Sequence, residues 1–249
     1  PIVLLLYFVL PKKVRYLWLL GASYYFYACW NAKYALLLLF STGVTYASGL
    51  LIASARKRGQ KTKMKLWVAW SFVINLAILA VFKYSGFVAE NVNALMKALG
   101  SSARMGAPDV LLPVGISFYA FKSAGYLIDV YRGRTKAEPN AVTAALFIGF
   151  FPALVSGPID RAEGLMTQLR ALHRPNYEQL MQGVLLFLWG LFLKLVLADN
   201  LAVLVNHAYA DVYAHTGFQL AAAALCYSVQ IYCDFAAYTD MARGSALML

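Results

Sequence analysis

Long apolar runs, broken by short polar or basic stretches, set the pattern of this chain. A membrane-spanning helix needs about 20 mostly apolar residues, and fewer where protein covers a bent or re-entrant helix. Residues 1–10 are apolar but too short, and read as the tail of a helix. Residues 16–30 are apolar and compact, and Asn31 and Lys33 interrupt them before a full-length run over 34–54. A further span is predicted over 66–82, ending at Lys83 and Tyr84, and the weakly polar 85–109 has room for a short amphipathic helix. Residues 110–128 are apolar but hold Pro113, Gly115 and Gly125, which predicts a bent helix packed against protein. Residues 141–155 form a short apolar run closing in FPALV, with SGPIDR after it, the profile of a re-entrant segment. A helix is predicted from Gly183 to Ala198, starting near Tyr177, and the apolar region 217–249 is long enough for two elements.

Basic residues orient these spans. The loops 11–15, 56–65 and 129–136 are basic and alternate with weaker ones, which places them on the cytoplasmic side. If 141–155 does not cross, 160–178 is cytoplasmic as well, in agreement with Arg161, Arg170 and Arg174. Composition sharpens the class. Hydrophobic residues make up 61% and charged residues only 13%, where a soluble domain carries about 25%. The expectation is an all-α, polytopic protein of the membrane, with short or re-entrant helices and membrane lipids as its surroundings. The net charge of +11 sits between apolar runs, and no basic–aromatic array resembles a nucleic-acid surface, so no nucleic acid is expected. Cys29, Cys226 and Cys233 are isolated and read as free thiols, and nothing has the spacing of a zinc site, a phosphate loop or a dinucleotide fingerprint. The chain opens at Pro1 on an apolar run and stops inside another, so the expectation is one membrane-embedded domain over 1–249, incomplete at both ends. The lack of a visible internal repeat weighs against a transporter built from two matching halves.

Ionisable groups inside apolar runs are costly and call for a role or a partner. Lys83 fits snorkelling to the headgroups. Lys194 is set aside in the same way, because Asp199 stands at i,i+5, off its face on an ideal α-helix. Lys122 and Asp129, two turns apart, can bracket a polar strip lining a cavity; the competing reading is snorkelling plus a local Asp129–Arg132 pair. Gly157 and Pro158 break a helix just before Arg161, and backbone amides freed there can meet a substrate, unless the stretch is a plain interfacial turn. His207, Asp211 and His215 share a face if 207–215 is helical, but the alanines and tyrosines around them fit ordinary helix packing, and no metal is expected. In the closing stretch QIYCDFAAYTDMARGSALML, Gln230 and Asp234 share a face at i,i+4. Asp234 has no local cation, so it needs a partner from another helix or a wet cavity. Asp240 lies about 120° around the helix from Asp234, which argues against a two-carboxylate active site. Asp240 and Arg243, at i,i+3, form a structural ion pair instead.

The ordered series YLWLLGASYYFYACWNAKY, FKYSGF, LLPVGISFYAFKSAGYLIDVYRG, FFPALVSGPIDR, KLVLADNLAVLVN and the closing stretch resembles the membrane-bound O-acyltransferase family, in its alginate O-acetylation branch. The resemblance implies helices around a central funnel, in the bacterial inner membrane. It implies transfer of an acetyl group from a cytoplasmic donor, acetyl-CoA, to hydroxyls of an extracytoplasmic polysaccharide. It also implies a separate extracytoplasmic acetyltransferase as partner. The family's catalytic histidine lies in a later segment, and none of His173, His207 or His215 matches it, so the histidine is expected beyond residue 249 and 1–249 alone is expected to be inactive. Framework positions carried over include Pro113, Gly115, Asp129, Gly157, Pro158, Arg161, Asp199, Asp234 and Tyr238. Lys122 and Gln230 join Asp129, Gly157, Pro158, Arg161, Asp234 and Tyr238 as candidates for the funnel or substrate path. Ala236 and Ala237 stand where Ser-Gly is usual, and Arg243 where an apolar residue is usual. A secondary transporter or channel-like protein without covalent transfer is the main alternative, and a structural scaffold a lesser one.

Overall fold

The computed structural model describes every residue except 1, 12–13, 101–103, 105, 107–111, 156, 158–160 and 171–175. The elements are α1 (Ile2–Val9), α2 (Arg15–Lys57), α3 (Lys61–Ala98), α4 (Ile116–Arg132), α5 (Ala141–Gly149), α6 (Phe151–Leu154), α7 (Ala162–Arg170), α8 (Tyr177–Phe192), α9 (Asp199–Ala210) and α10 (Gly217–Met248). A π-helical segment, Leu193–Ala198, joins α8 to α9, and a short 3-10 turn, Val212–Ala214, precedes α10. No strand occurs among the described residues. Four helices are long and apolar enough to cross a membrane: α2, α3, the continuous run Tyr177–Ala210, and α10. At 1.5 Å per residue each exceeds the roughly 30 Å hydrocarbon core. The chain is an all-α, multi-pass protein of the inner membrane.

The chain divides into two compact units. One holds α2 to α7. Within α2, Asn31 leaves helical geometry (φ −162°, ψ 114°), and its side-chain oxygen accepts a hydrogen bond from the Lys33 amide at 3.0 Å. Asn31 thus caps the second arm of a kinked helix, where an asparagine is among the best cap residues. The polar interruption at 31–33 is a kink rather than a loop. Helix α3 runs on to Ala98, past the predicted end at 82, because no proline follows to stop it and Gly86 alone does not. Lipid tails are as apolar as leucine, so close packing and buried hydroxyls, rather than a hydrophobic drive, hold such helices together. The stripe Ser41, Thr45 and Ser48 on α2 is buried. Ser41 donates to the side-chain oxygen of Asn75 on α3, and the Asn75 amide donates to the Ser71 carbonyl at 2.9 Å.

The region 110–128 is broken before its helix rather than bent within it. Gly115 is left-handed (φ 72°) at the N-cap of α4, and a Cβ there would overlap the Leu154 carbonyl oxygen. Only glycine meets both demands. Helix α4 lies in the core of this unit, with Tyr119, Tyr126, Leu127 and Val130 almost fully buried beside Tyr27, Leu38, Phe147 and Ile148. The run 141–155 is two short helices split at Phe150, and residues 143–150 are buried. Nine residues of α-helix reach only about 14 Å, so α5 cannot cross on its own and is shielded by protein, as the re-entrant profile requires.

The other unit holds α1, α8, the π segment, α9 and α10. The region 217–249 is one helix, started by a capping box in which Thr216 and Gln219 satisfy each other's amides. Helix α10 runs back along α8. Gly183 faces Gly244 and Gly190 faces Ala237, each pair so close that a Cβ on Gly183 or Gly190 would stand 2.8 Å or 2.6 Å from the opposing carbonyl oxygen. Small residues spaced at seven on both helices make this close seam. Ala237 is wholly buried in it.

Candidate functional site

The close seam determines what the middle of this hairpin can do. It brings Lys194 of the π segment within 2.6 Å of Asp234 on α10, Nζ to Oδ1. The same Nζ stands 3.0 Å from Oδ1 of Asp199. Lys194 lies midway along Tyr177–Ala210, and Asp234 close to midway along α10. A triad of ionised groups therefore sits at the centre of two membrane-spanning helices, where such groups serve a pathway or a paired network.

The local backbone explains why Lys194 meets Asp199. In an α-helix these residues diverge, but the Asp199 amide bonds to the Lys194 carbonyl, the i→i+5 pattern of a π-helix. The wider turn brings residues five apart onto one side. It also disturbs the carbonyl ladder, and Asn200 repairs it: the side-chain amide donates to the carbonyls of Leu195 and Val196 at 3.2 and 2.8 Å. The segment KLVLADN thus supplies the cation, one carboxylate and the repair. An ideal α-helix would separate Lys194 from Asp199, and α geometry fails at this segment. The one sequence signal was the pairing of Lys194 with an Asp-Asn five residues on.

Two carboxylates share one ammonium, leaving the triad with a formal surplus of one negative charge. The side chains are about half accessible: 38% for Lys194, 47% for Asp199 and 50% for Asp234. Gln230 and Tyr238 lie one turn before and after Asp234 on α10 and are partly buried, and the buried Gln230 Oε1 has no hydrogen-bond partner among the described residues. Gln230, Asp234 and Tyr238 make a polar stripe along this side of α10. Asp240 and Arg243 stand at 4.0 Å, beyond a direct hydrogen bond, with the Arg243 side chain 62% exposed. A pair that loose and exposed adds little.

The remaining candidates are elsewhere. Lys122 is buried in α4, with Nζ 4.8 Å from the centre of the Phe147 ring, a cation–π contact. Asp129 is half-buried on the same helix, and its backbone carbonyl accepts the capping amide of Gly133. Arg161 is exposed, and its carbonyl accepts from Leu165 at the start of α7. Gly157 is buried. Pro158 and His173 lie outside the described residues. Helix α9 ends at Ala210, so the premise that put His207, Asp211 and His215 on one helical face does not hold. Asp211 instead caps the 3-10 turn, accepting from Tyr213 and Ala214, while His207 and His215 stack with ring centres 5.5 Å apart. No group of three or more potential metal ligands occurs among the described residues.

No family model matches the chain. Individual proteins do. It is 38% identical over 250 residues to the probable alginate O-acetylase AlgI of Azotobacter vinelandii, a match covering 100% of this chain and 49% of that protein. The probable alginate O-acetylase AlgI of Pseudomonas putida is also 38% identical over 250 residues, with 100% of this chain and 50% of that protein covered. The peptidoglycan O-acetyltransferase of Helicobacter pylori is 31% identical over 278 residues, covering 99% of this chain and 51% of that protein. The chain spans about half the length of the curated relatives it matches. Over its whole length the chain is similar to these proteins named as alginate O-acetylases and, at lower identity, to one named as a peptidoglycan O-acetyltransferase.

Proposed function

We propose that the protein carrying this chain is a membrane-bound O-acyltransferase that passes acetyl groups from acetyl-CoA, on the cytoplasmic side, to hydroxyls of an extracytoplasmic, alginate-like polysaccharide. The observation that carries the reading is homology over 100% of the chain to proteins named as alginate O-acetylases. The mid-membrane triad adds support, because a charged, half-accessible cluster on apolar helices fits the wall of a transfer path better than a lipid-facing surface. In this reading residues 1–249 furnish walls and orientation for a central funnel. A histidine outside them takes the proton of the acceptor hydroxyl as its oxygen attacks the thioester carbonyl. The ester bond forms, the carbon–sulfur bond breaks, and the proton passes to the departing thiolate. A separate extracytoplasmic acetyltransferase is the expected partner. On the hairpin Gln230, Asp234 and Tyr238 line the path together with Lys194 and Asp199.

The helix interruption with an ion cluster at mid-span also suits a secondary transporter. One experiment separates the readings. Cells lacking the gene are complemented with the whole protein or with residues 1–249, and ester-linked acetate on the exported polysaccharide is measured. The proposal expects acetate to return with the whole protein only. Full acetate from 1–249 would remove the external histidine, and solute flux with unchanged acetate would establish transport.

A further inference from the structure

The two basic loops of the α2–α7 unit are one surface. Arg56, at the end of α2, donates through Nη2 to the backbone carbonyl of Tyr131, at the end of α4. Gly133 closes α4 in a left-handed turn (φ 78°), and a Cβ there would stand 2.7 Å from Nη1 of Arg56, so the guanidinium packs against the glycine where a side chain would collide. Arg56 therefore clasps the 129–136 loop to the turn between α2 and α3. On one side of the clasp Lys57, Arg58, Lys61, Lys63 and Lys65 are exposed, with no acidic residue between 56 and 65. On the other side Arg132, Arg134 and Lys136 are exposed, and the next acidic side chain, Glu138, is buried.

The membrane fixes where this surface lies. The turn that carries the first group joins two helices long and apolar enough to span, so these cations stand at the level of the headgroups. Eight exposed cations on two clasped loops, with the half-buried Asp129 as the one acidic group of the 129–136 loop, repel one another unless a further anion lies among them. At that depth the anion present in quantity is lipid phosphate. We propose that the joined loops form a single binding surface for anionic phospholipid headgroups, with Arg56 as the residue that holds its two halves together. Each cation near a charged bilayer surface strengthens the attraction about fivefold. Charge complementarity on a rigid, two-sided platform makes this a site for retained lipid rather than a diffuse attraction.

The test uses the whole protein in phosphatidylcholine nanodiscs, with fluorescent phosphatidylglycerol as probe. The expected result is strong preference for phosphatidylglycerol over labelled phosphatidylcholine, falling steeply with salt. Neutralising one half as Lys61→Gln, Lys63→Gln and Lys65→Gln is expected to weaken binding about a hundredfold. Neutralising the other half as Arg132→Gln, Arg134→Gln and Lys136→Gln is expected to weaken the same binding event to a similar degree. If a variant fails to fold, the salt titration of the unaltered protein still decides. Equal retention of the two lipids at all salt concentrations would overturn the proposal. So would halves that each remove a fraction of bound lipid and leave the affinity of the remainder intact, because that means two sites. Release of the lipid by a soluble phosphorylated nucleotide at low concentration would assign the surface to a soluble phosphate and likewise overturn it.

Discussion

The α2–α7 unit and the α8–α10 hairpin solve the same problem, packing helices in lipid, in opposite ways. In the first unit several buried polar side chains bond within the protein: Ser23 receives the Phe151 amide at 3.2 Å, Tyr27 donates to the Val114 carbonyl at 2.8 Å, and Tyr126 receives the Glu138 amide at 3.0 Å, while the buried Tyr119 hydroxyl and Ser123 Oγ have no hydrogen-bond partner among the described residues. In the hairpin a glycine seam fixes the helices, and the polar groups at its centre stay half accessible and carry charge. Buried, satisfied polar groups make a scaffold. Half-accessible ions at mid-span make a working face. The contrast is between polar groups buried in one unit and a half-accessible charged centre in the other.

The largest disruption is expected where backbone meets backbone. Gly190→Leu would drive a side chain into the Ala237 carbonyl, and Gly115→Ala would combine a left-handed backbone with overlap at Leu154. Each is expected to cost about 3 kcal/mol or more, read as loss of folded protein in detergent melts. Gly43→Ala, where a Cβ meets nothing within 4 Å, is the control and is expected to be neutral or slightly stabilising. Equal losses at Gly43 and Gly190 would erase the seam as a special feature.

Next comes the triad. Lys194→Met strands two carboxylates, and its cost is expected at about 1–3 kcal/mol, between the values for exposed and buried pairs. Lys194→Met combined with Asp234→Leu should cost less than the two single changes added together, a coupling that chemical melts of the four proteins will measure. Additivity would mean the 2.6 Å contact is energetically idle.

Smaller effects test the scaffold. Asn31→Ala removes the internal cap of α2 and is expected to cost about 1 kcal/mol, seen as faster amide exchange in the first turn after the kink. Arg243→Leu is expected to change stability by less than about 0.5 kcal/mol, because its partner is 4.0 Å away and the arginine is largely exposed.

Much of the scaffold was legible in the chain. Apolar runs located the spans, and the short run 141–155 marked helices that must be covered by protein, but the interruption at 31–33 was read as a break between two elements where Asn31 kinks one helix. The end of α3 was misplaced because weak polarity at 85–98 does not stop a helix. The break before α4 was read as a bend because the sequence does not reveal that Gly115 meets Leu154. The centre of the hairpin was the least legible. Asp234 announced its need for a cation from another helix, but the π segment that turns Lys194 towards Asp199 leaves no periodic signal, and an α-helical wheel separates the two residues.

In the proposed function the mid-membrane triad faces the acetyl-transfer path. The most direct measurement is ester-linked acetate on the exported polysaccharide of cells whose only copy of the whole protein carries Asp234→Asn, at membrane abundance matched to the unaltered protein. The account predicts at least about a tenfold loss, the size expected when a polar contact to the reacting path worth about 1.4 kcal/mol is removed. Unchanged acetate at equal abundance would contradict it and leave the triad a purely structural tie.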